Sequence, residues 1–228
     1  MKKFEIIHET DRYIAINKPA LYSVEISDRY PSVVEAFKPT TVFVVHRLDV
    51  ETTGALIVAK TEQAQSELRD LWQGRAVKKT YLALVLGETP PTGEIELSIE
   101  RDNKNDRQKV VLLPSDRSRA AITMYTRLAV GEWQGEKVSL VECHPVTGRT
   151  HQIRVHLQSA NHPILGDKIY GNKRSDNLSK ELGINRQMLH AFSLVLPHEP
   201  PLVAKVPLDF NSTLTKLGID LDKTNKTG

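Results

Sequence analysis

Three observations predict an α+β fold with a mostly antiparallel, mixed sheet flanked by helices and loops. Apolar runs of strand length follow one another at 13–16, 41–45, 55–59, 81–86, 122–128 and 138–141, without the helix-for-every-strand alternation of a doubly wound parallel sheet. Helical periodicity shows in two stretches, 61–74 and 150–159, which places helices against the sheet rather than between its strands. With 39% hydrophobic and 26% charged residues in 228 positions, the chain has the composition of an ordinary globular protein and is sized for one substantial domain.

Taken in order, residues 4–7 and 13–16 are short apolar segments separated by the polar 8–12, an opening hairpin. Lys18-Pro19 ends its second strand, because proline has no N–H for a ladder. After a loop of turn-forming and charged residues, 41–45 is β-branched and aromatic, and 55–59 is a second apolar run. The polar loop 46–54 joins them. Thr61 can cap a helix whose apolar positions Ala64, Leu68, Leu71 and Trp72 share one face, with Gly74 suited to a left-handed exit. Residues 81–86 read as a strand buried on both faces, entered from Lys78-Lys79-Thr80 and closed by Gly87, and Pro90-Pro91-Thr92-Gly93 reads as a turn. Two more strands, 122–128 and 138–141, are joined through Gly131 and Gly135 as a hairpin.

The second helix is expected from near Thr150, after the turn Pro145-Val146-Thr147-Gly148, to Ser159, with Asn161 and Pro163 stopping it. At about 100° per residue Ile153, Leu157 and Ala160 share one stripe, and His151, Arg154 and Gln158 another, which turns Arg154 outward from the local core. Residues 211–228 are polar apart from Leu214, Leu217 and Leu221. They are expected to form a short docked helix with a frayed end, outside a domain of residues 1–210.

Composition narrows the function classes. The single Cys143 can form no internal disulfide and no thiol cluster for a metal, which fits a reducing, cytoplasmic setting, and its apolar surroundings suit a small buried hydrophobe. Glu5 and His8 interrupt the opening segment before it could act as a secretory signal, and no apolar run approaches the roughly 20 residues of a membrane-spanning helix. Net charge is only +3, so its distribution matters more. Residues 101–119 hold six basic residues, Arg101, Lys104, Arg107, Lys109, Arg117 and Arg119, against three acids, and 145–174 hold five against Asp167 alone. Either stretch is compatible with a phosphate-binding patch or with a solvated loop.

His46-Arg47-Leu48-Asp49, followed by Thr52-Thr53-Gly54, sets one carboxylate in a turn between two apolar strands. Alone, it reads as a salt-bridged surface turn. Three separated segments together say more. His46-Arg47-Leu48-Asp49 with the trailing 52–60, then Lys79-Thr80-Tyr81-Leu82-Ala83, then Gly148-Arg149-Thr150-His151-Gln152-Ile153-Arg154-Val155-His156 resemble the RluA-type pseudouridine synthases. Asn17-Lys18-Pro19, residues 162–167 and Tyr170-Gly171 extend the resemblance over about residues 4–210, in the family's order.

The resemblance implies a pseudouridine synthase catalytic domain with a central active-site cleft, acting on structured ribosomal or transfer RNA without cofactor or metal. Asp49 would be the catalytic carboxylate, serving as nucleophile or as a base on ribose. A buried carboxylate tends to protonate, so a fixed cation should keep it ionised, and Arg154 is the family-matched group. Tyr81 would stack on the target uracil with its hydroxyl placed for proton transfer, and Ile153 would pack on the other side. The target must be extruded from its stack, and Arg47 is the residue implied to take its place. His46, Leu48 and Arg149 complete the implied RNA contacts.

Two features depart from the family pattern. No separate N-terminal RNA-binding domain is expected, because the motif region begins almost at once. Residues 20–24 and 118–121 lack a glycine and a Gly-Lys-x-Ala element that relatives usually carry, which puts substrate contacts in doubt. Rival classes fare worse. His151 and His156 are five residues apart, about 140° on a helix, and zinc pairs favour i, i+4. A glycosidase built on Asp49 and Glu51 would need both carboxylates fixed about one sugar, and nothing in the sequence positions Glu51. A non-catalytic RNA-binding protein on the same fold is the remaining alternative. A monomer is expected.

Overall fold

The computed structural model describes residues 4–102 and 107–221. In chain order the elements are β1 (Glu5–Glu9), β2 (Tyr13–Lys18), α1 (Val33–Ala36), β3 (Phe43–Val44), β4 (Thr53–Ala59), α2 (Glu62–Gln73), β5 (Lys78–Leu86), β6 (Thr92–Glu96), β7 (Ser98–Asp102), β8 (Arg107–Val111), β9 (Ile122–Trp133), β10 (Glu136–Pro145), α3 (Gln152–Ser159), α4 (Lys173–Leu182), β11 (Leu189–Val195), β12 (Leu202–Val203) and α5 (Leu208–Lys216). This is the α+β class with a mixed sheet. The chain divides into two compact units, Met1–Thr80 with His190–Val206, and Tyr81–Leu189 with Pro207–Gly228.

In the first unit β4 is the central strand, buried at all seven positions. β2 pairs with it antiparallel from Tyr13↔Ala59 to Lys18↔Gly54, and β1 pairs outside β2. On the other edge β3 takes the Ala59 end antiparallel, and β11 takes the Thr53 end in parallel. Alternate residues Ala55, Ile57 and Ala59 face a core completed by Ala64 and Leu68 of α2, with Leu71 and Trp72 packed against it. The Thr61 side chain caps α2 by accepting from Ala64 N–H at 3.1 Å. Gly74, expected in the left-handed region, has ordinary helical φ, and the positive φ of 57° falls on Arg75.

In the second unit β10 pairs antiparallel with β5 on one side and β9 on the other, and β6 adds outside β9. Leu82 to Leu86 are buried, as expected of a strand with two covered faces. Two readings of the connections are corrected. Thr92 and Gly93 open β6 instead of forming a turn. Gly131 lies inside β9, where a Cβ would come within 2.4 Å of the Leu217 carbonyl oxygen, so its role is close packing of α5. The β9–β10 turn is Gln134-Gly135, both at positive φ as a tight primed hairpin requires.

Of the basic stretch 101–119, Arg101 lies on β7, Arg107 and Lys109 lie on β8, which pairs with it antiparallel, and Arg117 and Arg119 follow β8, with Lys104 outside the described residues. Helix α4, not among the expected elements, has a capping box that pairs Asn172 with Ser175 and exits at Gly183 with φ 73°. The docked C-terminal helix is present as α5, burying Phe210 and Leu214, and it runs across residue 210. Among the described residues no helix is long and apolar enough to cross a membrane.

Candidate active site

The turn bearing Asp49 is held down on each side. β3 ends at Val44, and the chain then folds His46 back under the turn, where Nε2 accepts the Ile57 N–H at 3.0 Å and the ring stacks on Trp72 with centroids 4.5 Å apart. Accepting through Nε2 requires the proton on Nδ1, so the ring is neutral. Burial, aided by the Lys79 ammonium, pushes its pKa down to about 3. Leu48 is buried beside it.

Beyond Asp49, its carbonyl oxygen accepts Thr52 N–H at 3.0 Å, and the Val50 carbonyl accepts Leu21 N–H at 2.8 Å and Lys18 Nζ at 3.1 Å. The fully buried Lys18 also donates to the carbonyls of Pro19 and Tyr22. Thr53 then bonds His190 Nδ1 at 2.9 Å as β4 begins. Asp49 is partly buried at the top of this frame. His46 and Leu48 belong to the packing beneath the turn. Arg47 is exposed, 3.0 Å from the exposed Glu25 carboxylate.

Tyr81, Arg149, Ile153 and Arg154 lie in the second unit. Tyr81 is half-buried opposite Cys143 in the β5–β10 register, and Cys143 is fully buried, its thiol pushed well up by desolvation. α3 departs from the amphipathic reading: Gln152, Ile153, Arg154, Val155, His156 and Leu157 are all buried. Arg154 therefore does not face outward, since the helix is covered on faces that its own spacing marks as polar. Its Nε and Nη2 donate to the two oxygens of Asp167 at 2.7 and 2.8 Å, and Cζ lies 5.1 Å from the Tyr170 ring centroid.

The polar residues of α3 are satisfied internally. Gln152 donates to Ile122 O and Thr123 Oγ1 and accepts from Thr147 Oγ1 and Arg149 N–H. His156 donates through Nε2 to Leu97 O and meets Thr123 Oγ1 through Nδ1. Desolvation lowers its pKa, opposed by the Leu97 carbonyl. Arg149 is exposed on the preceding turn, its Nε 3.2 Å from Ala120 O. Among the described residues, no group of three or more His, Cys, Asp and Glu side chains could hold a metal ion.

Three residues central to this geometry had no role in the sequence reading: Lys18, Asp167 and Tyr170. Their signals were the supporting segments Asn17-Lys18-Pro19 and 162–171, but a lysine on a strand next to a proline does not disclose that it is buried.

The RNA pseudouridylate synthase family model matches residues 12–159. A protein of Chloroflexus aurantiacus described as an uncharacterized RNA pseudouridine synthase is 41% identical over 180 residues, covering 76% of this chain and 53% of the relative. The ribosomal large subunit pseudouridine synthase C of Haemophilus influenzae is 36% identical over 201 residues, covering 85% of this chain and 61% of the relative. The chain thus spans between about half and three fifths of the length of these relatives. Two human structures, RNA Pseudouridylate Synthase Domain Containing 4 and Domain Containing 1, superpose with TM-scores of 0.77 and 0.79 at 27% and 25% identity. The first covers 95% of this chain and 94% of its own, the second 99% and 96%. The chain belongs to the RNA pseudouridylate synthase family, as the RluA-type motifs of its sequence indicate.

Proposed function

We propose that this protein isomerises specific uridines of structured RNA to pseudouridine, with Asp49 as the catalytic carboxylate. The reaction breaks the bond from ribose to N1 of uracil, turns the base, and joins the ribose to C5, whose hydrogen leaves as a proton while N1 takes one up; no electrons are gained or lost. The observation that carries the reading is the turn itself: a family-matched Asp49, partly buried, on backbone fastened by Lys18, Leu21, Thr52 and His46. A reacting group is effective when its position is set before substrate arrives.

The other assignments follow the motif matches. Tyr81 offers a ring face to the uracil and Ile153 an apolar contact, while Arg154 supplies the fixed cation that balances the reacting anion. Arg47 enters the stack that the flipped uridine leaves, and Arg149 binds phosphate. Ribosomal RNA is the first substrate to test, because matched relatives are named for the large ribosomal subunit; transfer RNA is the second. A cytoplasmic setting fits the single buried cysteine, and the protein acts as a monomer.

The test uses large-subunit ribosomal RNA transcribed with tritium at C5 of uridine. The unaltered chain should release tritium as base is rejoined, and Asp49→Ala should release none while binding the transcript within about threefold of the unaltered affinity. Equal release by Asp49→Ala rejects the assignment. Binding without release by either protein, on both ribosomal and transfer RNA, supports a non-catalytic RNA-binding protein instead.

A further inference from the structure

Arg154 projects from α3 into the interior, where a cation is stable only beside a fixed counter-charge. Asp167 supplies it, and the pose of Asp167 is set by its own loop. Its Oδ1 accepts the backbone N–H groups of Ile169 at 3.0 Å and Tyr170 at 3.1 Å, so residues 167–170 fold round the carboxylate. The side chain of Asp167 is fully buried, and that of Arg154 is 6% exposed. Two parallel bonds from Nε and Nη2 then fix the plane of the guanidinium as well as its position.

Tyr170 supports the same group from its ring face, 5.1 Å from Cζ. Its hydroxyl accepts Gln108 N–H at 2.8 Å and meets His151 Nδ1 at 3.0 Å, so the ring cannot swing aside. Gly171 completes the loop: a Cβ there would come 2.5 Å from the Asp167 carbonyl oxygen and 2.6 Å from Asp176 Oδ1. Neutralising one buried cation needs a single carboxylate. A fork, a ring held beneath it and a loop wrapped round the carboxylate do more, because they determine the direction of the opposite edge of the guanidinium.

We propose that Asp167, backed by Tyr170, is a positioning residue for the isomerisation, acting through Arg154 by aiming its guanidinium at the reacting nucleotide. This rests on the role given to Arg154 above. The test measures single-turnover tritium release and transcript affinity for the Asp167→Asn, Asp167→Glu, Arg154→Ala and Arg154→Ala/Asp167→Asn variants of the 228-residue chain. Asp167→Asn and Asp167→Glu should each slow release ten- to a hundredfold with affinity within about threefold. On the Arg154→Ala background, Asp167→Asn should add less than about threefold, because the two residues act as one unit.

If Asp167→Asn does not fold, Asp167→Glu carries the test, since it keeps the charge and displaces only the carboxylate. Full rate in both Asp167 variants beside a slow Arg154→Ala overturns the proposal. So does a double variant whose losses multiply, which shows Asp167 acting independently of Arg154. An Arg154→Ala protein at the unaltered rate instead refutes the role of Arg154, and the proposal falls with it.

Discussion

Lys18 Nζ lies 3.1 Å from the carbonyl oxygen of Val50, the residue that follows Asp49, and 3.0 Å from the carbonyls of Pro19 and Tyr22. One buried ammonium thus joins the end of β2, the loop after it and the turn that carries Asp49. Replacing it by the similarly sized but apolar Met leaves those carbonyls without a charged donor. Lys18→Met should lower stability by about 2–4 kcal/mol in urea unfolding, and should slow tritium release more than it weakens RNA binding.

Gly54 sits at φ +117°, and a Cβ there would lie 2.1 Å from the Ala191 carbonyl oxygen. Both the backbone angle and the close approach of parallel β4 and β11 exclude a side chain. Gly54→Ala should cost at least about 3 kcal/mol, seen as a large drop in Tm. An unchanged Tm would mean that the two strands can separate without loss.

His46 is held neutral, its pKa depressed to about 3 by burial and by Lys79. The unfolded chain takes up this proton near pH 6.5 and the folded chain does not. Stability is therefore complete above about pH 6.5 and declines as pH falls toward 3, by up to about 1.4 kcal/mol per pH unit for this one site. His46→Gln, which can still accept from Ile57 N–H, should show a shallower loss between pH 6.5 and 4 in urea titrations, a difference of about 2–3 kcal/mol. Parallel curves would show that His46 charges in the folded state.

Arg47 and Glu25 form an ion pair with side chains 60% and 54% exposed, which contributes little to stability and is readily exchanged for a phosphate. Arg47→Lys should leave Tm within about a degree. If the planar guanidinium fills the stack vacated by the flipped base, the same variant should slow single-turnover release at least tenfold. A rate within twofold would assign Arg47 to simple charge attraction.

Much of this molecule is legible in its sequence because the signals are local. Thr61 caps α2 as its hydroxyl and spacing imply, and the apolar runs 13–16, 55–59 and 81–86 lie inside β2, β4 and β5. Each depends on an unbroken apolar run of strand length, or on one side chain reaching its own backbone. The segments without such marks escaped. The short strands β7 and β8 are charged, β11 pairs with β4 far away in sequence, and β12 is only 2 residues long.

The sequence by itself determined the α+β class, the motifs and the family they mark, since side-chain chemistry and spacing are written residue by residue. Only the tertiary structure decided that Lys18 is buried under the Asp49 turn, that His46 serves the packing, and that Arg154 turns inward to Asp167. Periodicity assigns a helix a polar face, but whether water or a carboxylate meets that face depends on what the rest of the chain brings to it. For Arg154 that was a loop folded round an aspartate thirteen residues further on.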